Sequence, residues 1–335
     1  MATSRSPRGR SDIARLAGAD GPPTARYYGE NRRGTAGGSR GVAPSGPARI
    51  RAAKRLTKRA FRQRERAFLA EGPQAVAEAL RCGAQVTDLF VTVPARDRHA
   101  DLVTAAEGAG VPVHVVSGDV MADLAQTVTP QGLLAVCGFV DVPLADVVSE
   151  LKGASGAPGS ERENRVTQPA PLLVALLANV RDPGNAGTVL RTADAAGTQA
   201  VVFADASVDP YNGKCVRASA GSLFHLPVVV GVRLEEAVAA MRGAGLSILA
   251  ADGRAGRSLD DQDVQARLGE PTAWMFGNEA WGLPPDLVAL ADEPVAVPIY
   301  GQAESLNLAA AAAVCLYASA RAQRVHTVTG DLVRE

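Results

Sequence analysis

Three short runs in the second half of the chain carry residue types able to do chemistry. In Asn179–Arg191 (NVRDPGNAGTVLR), Gly184 and Gly187 permit a tight turn, and Asn185 is placed to cap a helix that carries Arg191 nearly two turns along. Arginine is permanently charged and forks two hydrogen bonds to a phosphate or carboxylate. In Phe276–Pro284 (FGNEAWGLP), Gly277 lets backbone approach a ligand, Asn278 follows it, and Glu279 is an acid in an apolar setting. In Tyr300–Asn307 (YGQAESLN), Ser305 and Asn307 bring two hydrogen-bonding side chains and the free N–H groups of a first helical turn to whatever lies above them. Each run alone is explained by turns, caps and surface ion pairs; their order and combination carry the functional reading.

The elements that must position these runs read as a parallel α/β layer. Pro171–Ala178 is too short and too continuously apolar to be amphipathic, so it is a strand buried on both faces. Further strands are predicted near 200–203, 227–230, 246–251, 272–276 and 294–299, with helices near 185–196, 213–220, 234–242, 286–291 and 305–321. The last begins with Ser305 as N-cap and has an all-round apolar, Ala-rich surface. The three runs then fall beyond the carboxyl ends of strands, where open parallel sheets bind ligands. Upstream, strands at 67–72, 86–92, 111–116 and 132–140 alternate with helices at 74–81, about 98–107 and 119–125, giving a smaller α/β unit over residues 48–142. The Gly- and Pro-bearing stretch 143–170 reads as a linker between it and a second domain, 171–324, with a tail at 325–335.

Net charge conceals an asymmetry. Residues 1–66 hold 17 Lys+Arg against 4 Asp+Glu, and the other 269 residues hold 18 against 31. A basic arm on an acidic body is the arrangement of a protein that meets a polyanion through one end. Residues 1–47 are low in apolar side chains and read as a disordered basic arm. In Arg49–Arg66, Ile50, Leu56 and Phe61 alternate with charges, so the segment can dock while Arg55, Lys58, Arg59 and Arg62 face phosphate; Arg217, beside Lys214, is a further RNA-binding candidate. Four scattered cysteines without C-x-x-C pairing and four histidines distant from them in sequence indicate neither a disulfide framework nor a metal site. His225, between Phe224 and Leu226, reads as a packed histidine. No membrane-spanning or secretory segment is evident, which points to the cytoplasm.

Taken together, the three runs resemble the motifs of the SpoU-type branch of the SPOUT RNA methyltransferases over Leu172 to about Arg321, and residues 55–140, with Phe68–Pro73 (FLAEGP), resemble the ribosomal-protein-like substrate-binding domain that many members carry. The resemblance implies a trefoil-knotted catalytic domain, S-adenosylmethionine as cofactor, and a homodimer that methylates a ribose 2′-hydroxyl of structured RNA, rRNA ahead of tRNA. It makes Asn185, Arg191, Glu279, Ser305 and Asn307 catalytic, and Gly277, Asn278, Val297, Ile299 and Leu306 cofactor-binding. Because a guanidinium does not deprotonate near neutrality, Arg191 is expected to hold phosphate and stabilise the developing alkoxide, leaving the proton to phosphate, Glu279 or water. Two rivals stand beside this. A dinucleotide-dependent oxidoreductase is suggested by Asp205 about 20 residues after a Gly-bearing turn, although Gly184-Asn-Ala-Gly187 lacks the G-x-G-x-x-G spacing. An RNA-binding protein without the chemistry would not require Asn185, Arg191, Glu279, Ser305 and Asn307 together.

Overall fold

The computed structural model describes residues 46–155 and 172–332. The chain opens with two basic helices, α1 (Gly46–Arg55) and α2 (Arg59–Glu65). Ala53 and Leu56 are buried with Phe90, Met121, Leu124 and Leu134, so this basic segment is docked on the first sheet by its apolar positions. Strands β1 (Ala67–Glu71), β2 (Val86–Thr92), β3 (Val113–Val116) and β4 (Leu133–Gly138) form that sheet in the order β1-β4-β2-β3. Between them lie α3 (Pro73–Arg81), α4 (Val93–Arg98), α5 (Ala100–Gly108) and α6 (Gly118–Leu124). Proline at the first position of α3 forgoes only an N–H that a helix start leaves unpaired.

The 143–170 stretch was expected as linker. Residues 156–170 lie outside the described residues, but Leu144–Ser155 is a helix, α7. Its Val147 and Leu151 recur at helical spacing and are buried, which the flanking glycines concealed.

The second sheet is entirely parallel. Its strands are β5 (Leu173–Leu177), β6 (Ala200–Ala204), β7 (Val228–Val232), β8 (Ser247–Ala251), β9 (Thr272–Phe276) and β10 (Glu293–Val295), ordered β10-β8-β9-β5-β6-β7. Every residue of β5, β6 and β9 is buried, as continuous apolar runs require of strands covered on both faces. Five helices complete the layer: α8 (Pro183–Ala196), α9 (Gly213–Ala218), α10 (Leu234–Gly243), α11 (Gln262–Arg267) and α12 (Pro285–Val288). The last helix, α13, spans Leu308–Leu332.

Three expected boundaries move. The strand read at 294–299 is only Glu293–Val295, because Pro298 and the turn after it leave the ladder. Helix α13 starts at Leu308 and not at Ser305: Asn307, two residues before the alanine run begins, is the cap, its Oδ1 accepting from Ala309 N at 2.9 Å. At its other end α13 continues through what was read as a tail from 325, since no helix breaker precedes Gly330.

The two sheets do not behave as beads on a string. Residues of both belong to one apolar cluster: Phe68 of β1 packs on Tyr211 and Phe224, and Phe139 stacks on Tyr211 at 3.8 Å between ring centroids. Polar contacts fasten the same boundary. Arg62 is 3% exposed; its Nε and Nη2 donate to Asp209 Oδ2 at 3.0 and 2.7 Å and its Nη1 to the carbonyls of Leu56 and Thr57. Arg217 Nη1 donates to Glu71 Oε2 at 2.8 Å, with Thr127 bonding the other oxygen of Glu71. The buried Tyr211 hydroxyl donates to Asp141 at 2.7 Å and accepts from Val140 N. Burial, followed by the Asp141 charge, pushes that phenol well above its ordinary pKa.

Candidate active site

Strands β5 and β9 are neighbours, so the first two chemically loaded runs leave the sheet side by side. At the end of β5, Asn179 takes a left-handed conformation (φ 58°), which asparagine tolerates better than most side chains, and its carbonyl accepts from Asn278 Nδ2 at 2.9 Å. Helix α8 then starts. Its cap is Asp182 and not Asn185: Asp182 Oδ1 accepts from Asn185 N at 2.8 Å, while its other oxygen receives Lys214 Nζ at 2.6 Å. The Lys214 hydrogen bond is the main reason the Asp182 carboxyl lies below its usual pKa. Relieved of capping, Asn185 has its side chain available for the site.

Gly187 serves packing and not the turn. A Cβ there would meet Ala218 Cβ at 2.7 Å and press on the Cys215 carbonyl, so its absence lets α8 and α9 approach. Gly277 works similarly, since a Cβ would lie 2.5 Å from Gly282 C. That contact closes a turn in which Asn278 and Gly282 exchange two 2.9 Å backbone hydrogen bonds and Ala280 N donates to Asn278 Oδ1. The Asn278 side chain is therefore buried inside the turn, and its backbone N–H and carbonyl are taken by Gly282, so Asn278, expected to touch the cofactor, serves instead to set the shape of the turn.

Glu279 projects from this turn toward α8. Its Oε1 accepts from Asp182 N at 3.0 Å and Asn185 Nδ2 at 3.2 Å, and its Oε2 from Arg181 N at 3.1 Å. Partial burial works to raise its pKa, but the hydrogen bonds from the Asp182 and Arg181 backbone and the Asn185 amide outweigh it and hold the carboxyl ionised below its usual range. The third run arrives at the same point. Asn307 Nδ2 donates to Asn185 Oδ1 at 3.0 Å, so the Asn185 amide bridges Glu279 and Asn307 and ties the three runs together.

The remaining expected site residues lie on or next to the same three runs. Arg191 is exposed on α8, on the same helix face as Gly184 and Thr188, and makes no ion pair or side-chain hydrogen bond among the described residues. Ser305 is exposed and does not cap a helix. Ile299 and Leu306 are 39% and 40% exposed, and Val297 packs on the core. Among the described residues, the backbone N–H groups of Val297, Ile299 and Leu306 donate to no carbonyl. A loop with unpaired donors flanked by exposed apolar side chains suits an adenosine-bearing ligand, whose polar edge takes backbone hydrogen bonds and whose ring takes apolar contact.

The basic candidates divide. Arg55, Lys58 and Arg59 are exposed, and the Arg55 and Arg64 guanidiniums lie 5.7 and 4.7 Å from the Phe61 ring centre. Arg62 is not available to RNA, because burial against Asp209 makes it part of the joint between the sheets, and Arg217 is likewise engaged by Glu71. Alternation of Arg with apolar residues could not show which guanidinium turns inward.

His225, read as packed, has a larger part. It is half-buried, with Nδ1 at 2.7 Å from Asp194 and Nε2 at 3.0 Å from Glu78 of α3. The Asp194 hydrogen bond, with further bonds to Cys82 and Glu78, pushes its pKa up to about 10, so it is a charged link between the two sheets. Glu78, Cys82 and His225 are close enough to share a cation, but Arg81 Nη2 already lies 2.6 Å from Glu78 and supplies the positive charge there. All four cysteines are buried and free.

Residues 172–317 match the SpoU rRNA Methylase family and residues 48–135 the MRM3-like substrate binding domain. The chain is 34% identical over 266 residues to the 23S rRNA (guanosine(2553)-2′-O)-methyltransferase RlmP of Bacillus subtilis, covering 79% of this chain and 92% of that one. It is 29% identical to the 23S rRNA (adenosine(1067)-2′-O)-methyltransferase of Streptomyces laurentii, with 76% and 86% covered. Among solved structures, the SpoU methyltransferase AviRb from Streptomyces viridochromogenes in complex with AdoMet superposes with a TM-score of 0.66 at 28% identity, over 83% of this chain and 99% of that one. This chain belongs to the SpoU rRNA methylase family.

Proposed function

We propose that the chain transfers a methyl group from S-adenosylmethionine to a ribose 2′-hydroxyl of rRNA, using the three runs joined at Asn185. The observation that carries the residue assignment is the Glu279–Asn185–Asn307 bridge, which brings polar groups from beyond β5, β9 and β10 to one place. The loop 297–306, the turn at Gly277 and the Leu306 backbone form the cofactor's seat. When bound, S-adenosylmethionine supplies an electrophilic methyl on a sulfonium sulfur.

The chain's own residues position the acceptor. Arg191, exposed and without an ion pair among the described residues, holds a phosphate of the target and steadies the charge that develops on the 2′-oxygen as its proton leaves. With both oxygens of Glu279 accepting hydrogen bonds, its role is to fix Asn185, and the proton passes to the RNA phosphate or to water. Asn185 and Asn307 orient the ribose, and Ser305 contacts it from the exposed turn. The basic face of α1 and α2, with Arg55, Lys58 and Arg59, supplies the long-range attraction to RNA that the acidic remainder lacks.

The trefoil knot and the homodimer enter on the same basis. The third run starts after the edge strand β10 and yet reaches Asn185 beyond β5, a crossing that a knotted return provides. On α13, Val314, Tyr317 and Val325 are exposed at 44%, 51% and 58%, an apolar stripe interrupted by the exposed Arg321 and suited to a second copy of the chain. Among the described residues no helix is long and apolar enough to cross a membrane, and we place the protein in the cytoplasm with its RNA substrate. Mapping 2′-O-methylation of rRNA in cells with and without the protein tests the assignment: one ribose methyl should vanish, and an unchanged map overturns it.

A further inference from the structure

The chain has two tryptophans, and their surroundings are opposite. Trp274 is fully buried in β9, its indole N–H donating to Ser319 Oγ at 2.9 Å. Trp281 is 58% exposed, and it stands on the turn that presents Glu279. That turn is held rigidly by the paired Asn278–Gly282 backbone bonds, by the Asn278 side chain on Asn179, and by Arg254 Nη2 donating to the Leu283 carbonyl at 2.9 Å. A large indole left in water on a fixed backbone, two residues from the carboxylate that fixes Asn185, is pre-organised to bind a flat apolar surface. An RNA methylated at a ribose offers one in the face of an unstacked base, which proteins take up on aromatic side chains.

We propose that Trp281 stacks on an unpaired nucleobase of the RNA substrate at or beside the nucleotide whose ribose is methylated. The inference rests on the methyl-transfer reading and adds a recognition element to it: the target ribose lies in a loop or bulge, since a base inside a duplex shows no free face. Stacking on any of the four bases is possible, so Trp281 selects unpaired structure and not sequence.

Because Trp274 is buried, iodide quenching reports on Trp281. The full-length protein is titrated with an unmodified transcript of 23S rRNA while tryptophan emission and its iodide accessibility are followed, and methyl transfer to the same transcript is measured for wild type, Trp281→Ala and Trp281→Phe. The expected result is iodide-accessible emission in the free protein that RNA shields. With it, KM for RNA should rise about tenfold or more in Trp281→Ala, with kcat and S-adenosylmethionine affinity near wild type and recovery in Trp281→Phe. An unchanged KM in Trp281→Ala alongside active wild type overturns this proposal alone. Emission already shielded without RNA, with Trp281→Ala turning a dimer into a monomer by light scattering, would assign the indole to a protein interface. If wild type transfers no methyl to the transcript, the activity reading is what fails, and the shielding measurement still decides whether Trp281 meets RNA.

Discussion

The amides of Asn185 and Asn307 meet at 3.0 Å although 122 residues separate them in the chain, and the same Asn185 side chain reaches Glu279 at 3.2 Å. One amide thus has both its donor and its acceptor engaged by loops that follow two other strands. Asn185→Ala should lower turnover about 10- to 100-fold with cofactor affinity changed far less, and Asn307→Ala should resemble it. Because the two substitutions remove one shared bond, the double variant should cost much less than the product of the singles. Steady-state kinetics with calorimetric measurement of S-adenosylmethionine binding checks this.

Asp209 faces Arg62 across the joint between the sheets, with both side chains 4% exposed. Asp209→Asn leaves a buried guanidinium without its counter-charge and should destabilise the protein by about 3–5 kcal/mol. Urea unfolding should show this as a lower midpoint. Arg55→Ala, on the exposed face of the same basic segment, should scarcely move the midpoint but should weaken RNA binding at low salt.

The charged link at His225 gives a pH dependence with a defined sign. Its folded pKa, about 10, is raised above the ordinary value of 6.5, so its stabilisation is complete below 6.5 and is lost as pH rises toward 10. Glu78 and Asp194 are lowered, so their part is present above the ordinary carboxylate pKa and is lost as pH falls through their folded values. His225→Gln should therefore cost most, about 2 kcal/mol, between pH 5 and 6.5, with the difference from wild type shrinking at both extremes. Thermal melts of the two proteins across pH measure it.

Tyr317 stands half exposed in the apolar stripe of α13. Tyr317→Glu should convert a dimer at micromolar concentration into a monomer by light scattering, because it replaces an apolar ring in the contact with a charge that must be desolvated, a cost that Arg321 one turn along offsets only in part. A wild-type protein that is already monomeric would remove the stripe's proposed role.

Much of the fold was legible because continuous apolar strands and period-3.6 helices announce themselves. β5 could only be a doubly covered strand, and Pro73 and Gly83 bracketed α3 as read. Caps were harder, since Asp182, Asn185, Ser305 and Asn307 are all capable capping residues and only the geometry shows that Asp182 and Asn307 do it. In the site, the three loops could be found from residue types, but not the Asn185 bridge, which depends on how distant strand ends meet. Arg62 shows the same limit from the other side, because its partner Asp209 lies 147 residues away. The continuity of the two sheets was hidden for a related reason: Phe68, Phe139, Tyr211 and Phe224 are single aromatics in separate segments until the fold stacks them.

If the exposed Arg191 and the bridged asparagines direct a methyl group onto an RNA ribose, methyl transfer from radiolabelled S-adenosylmethionine to unmodified 23S rRNA transcript, with the labelled nucleotide identified by mass spectrometry, shows it most directly for wild type and Arg191→Ala. Wild type should give one 2′-O-methylated ribose, and Arg191→Ala at least ~10²-fold slower transfer at near-normal cofactor binding. Label on a base instead of a ribose, or full activity in Arg191→Ala, would contradict it.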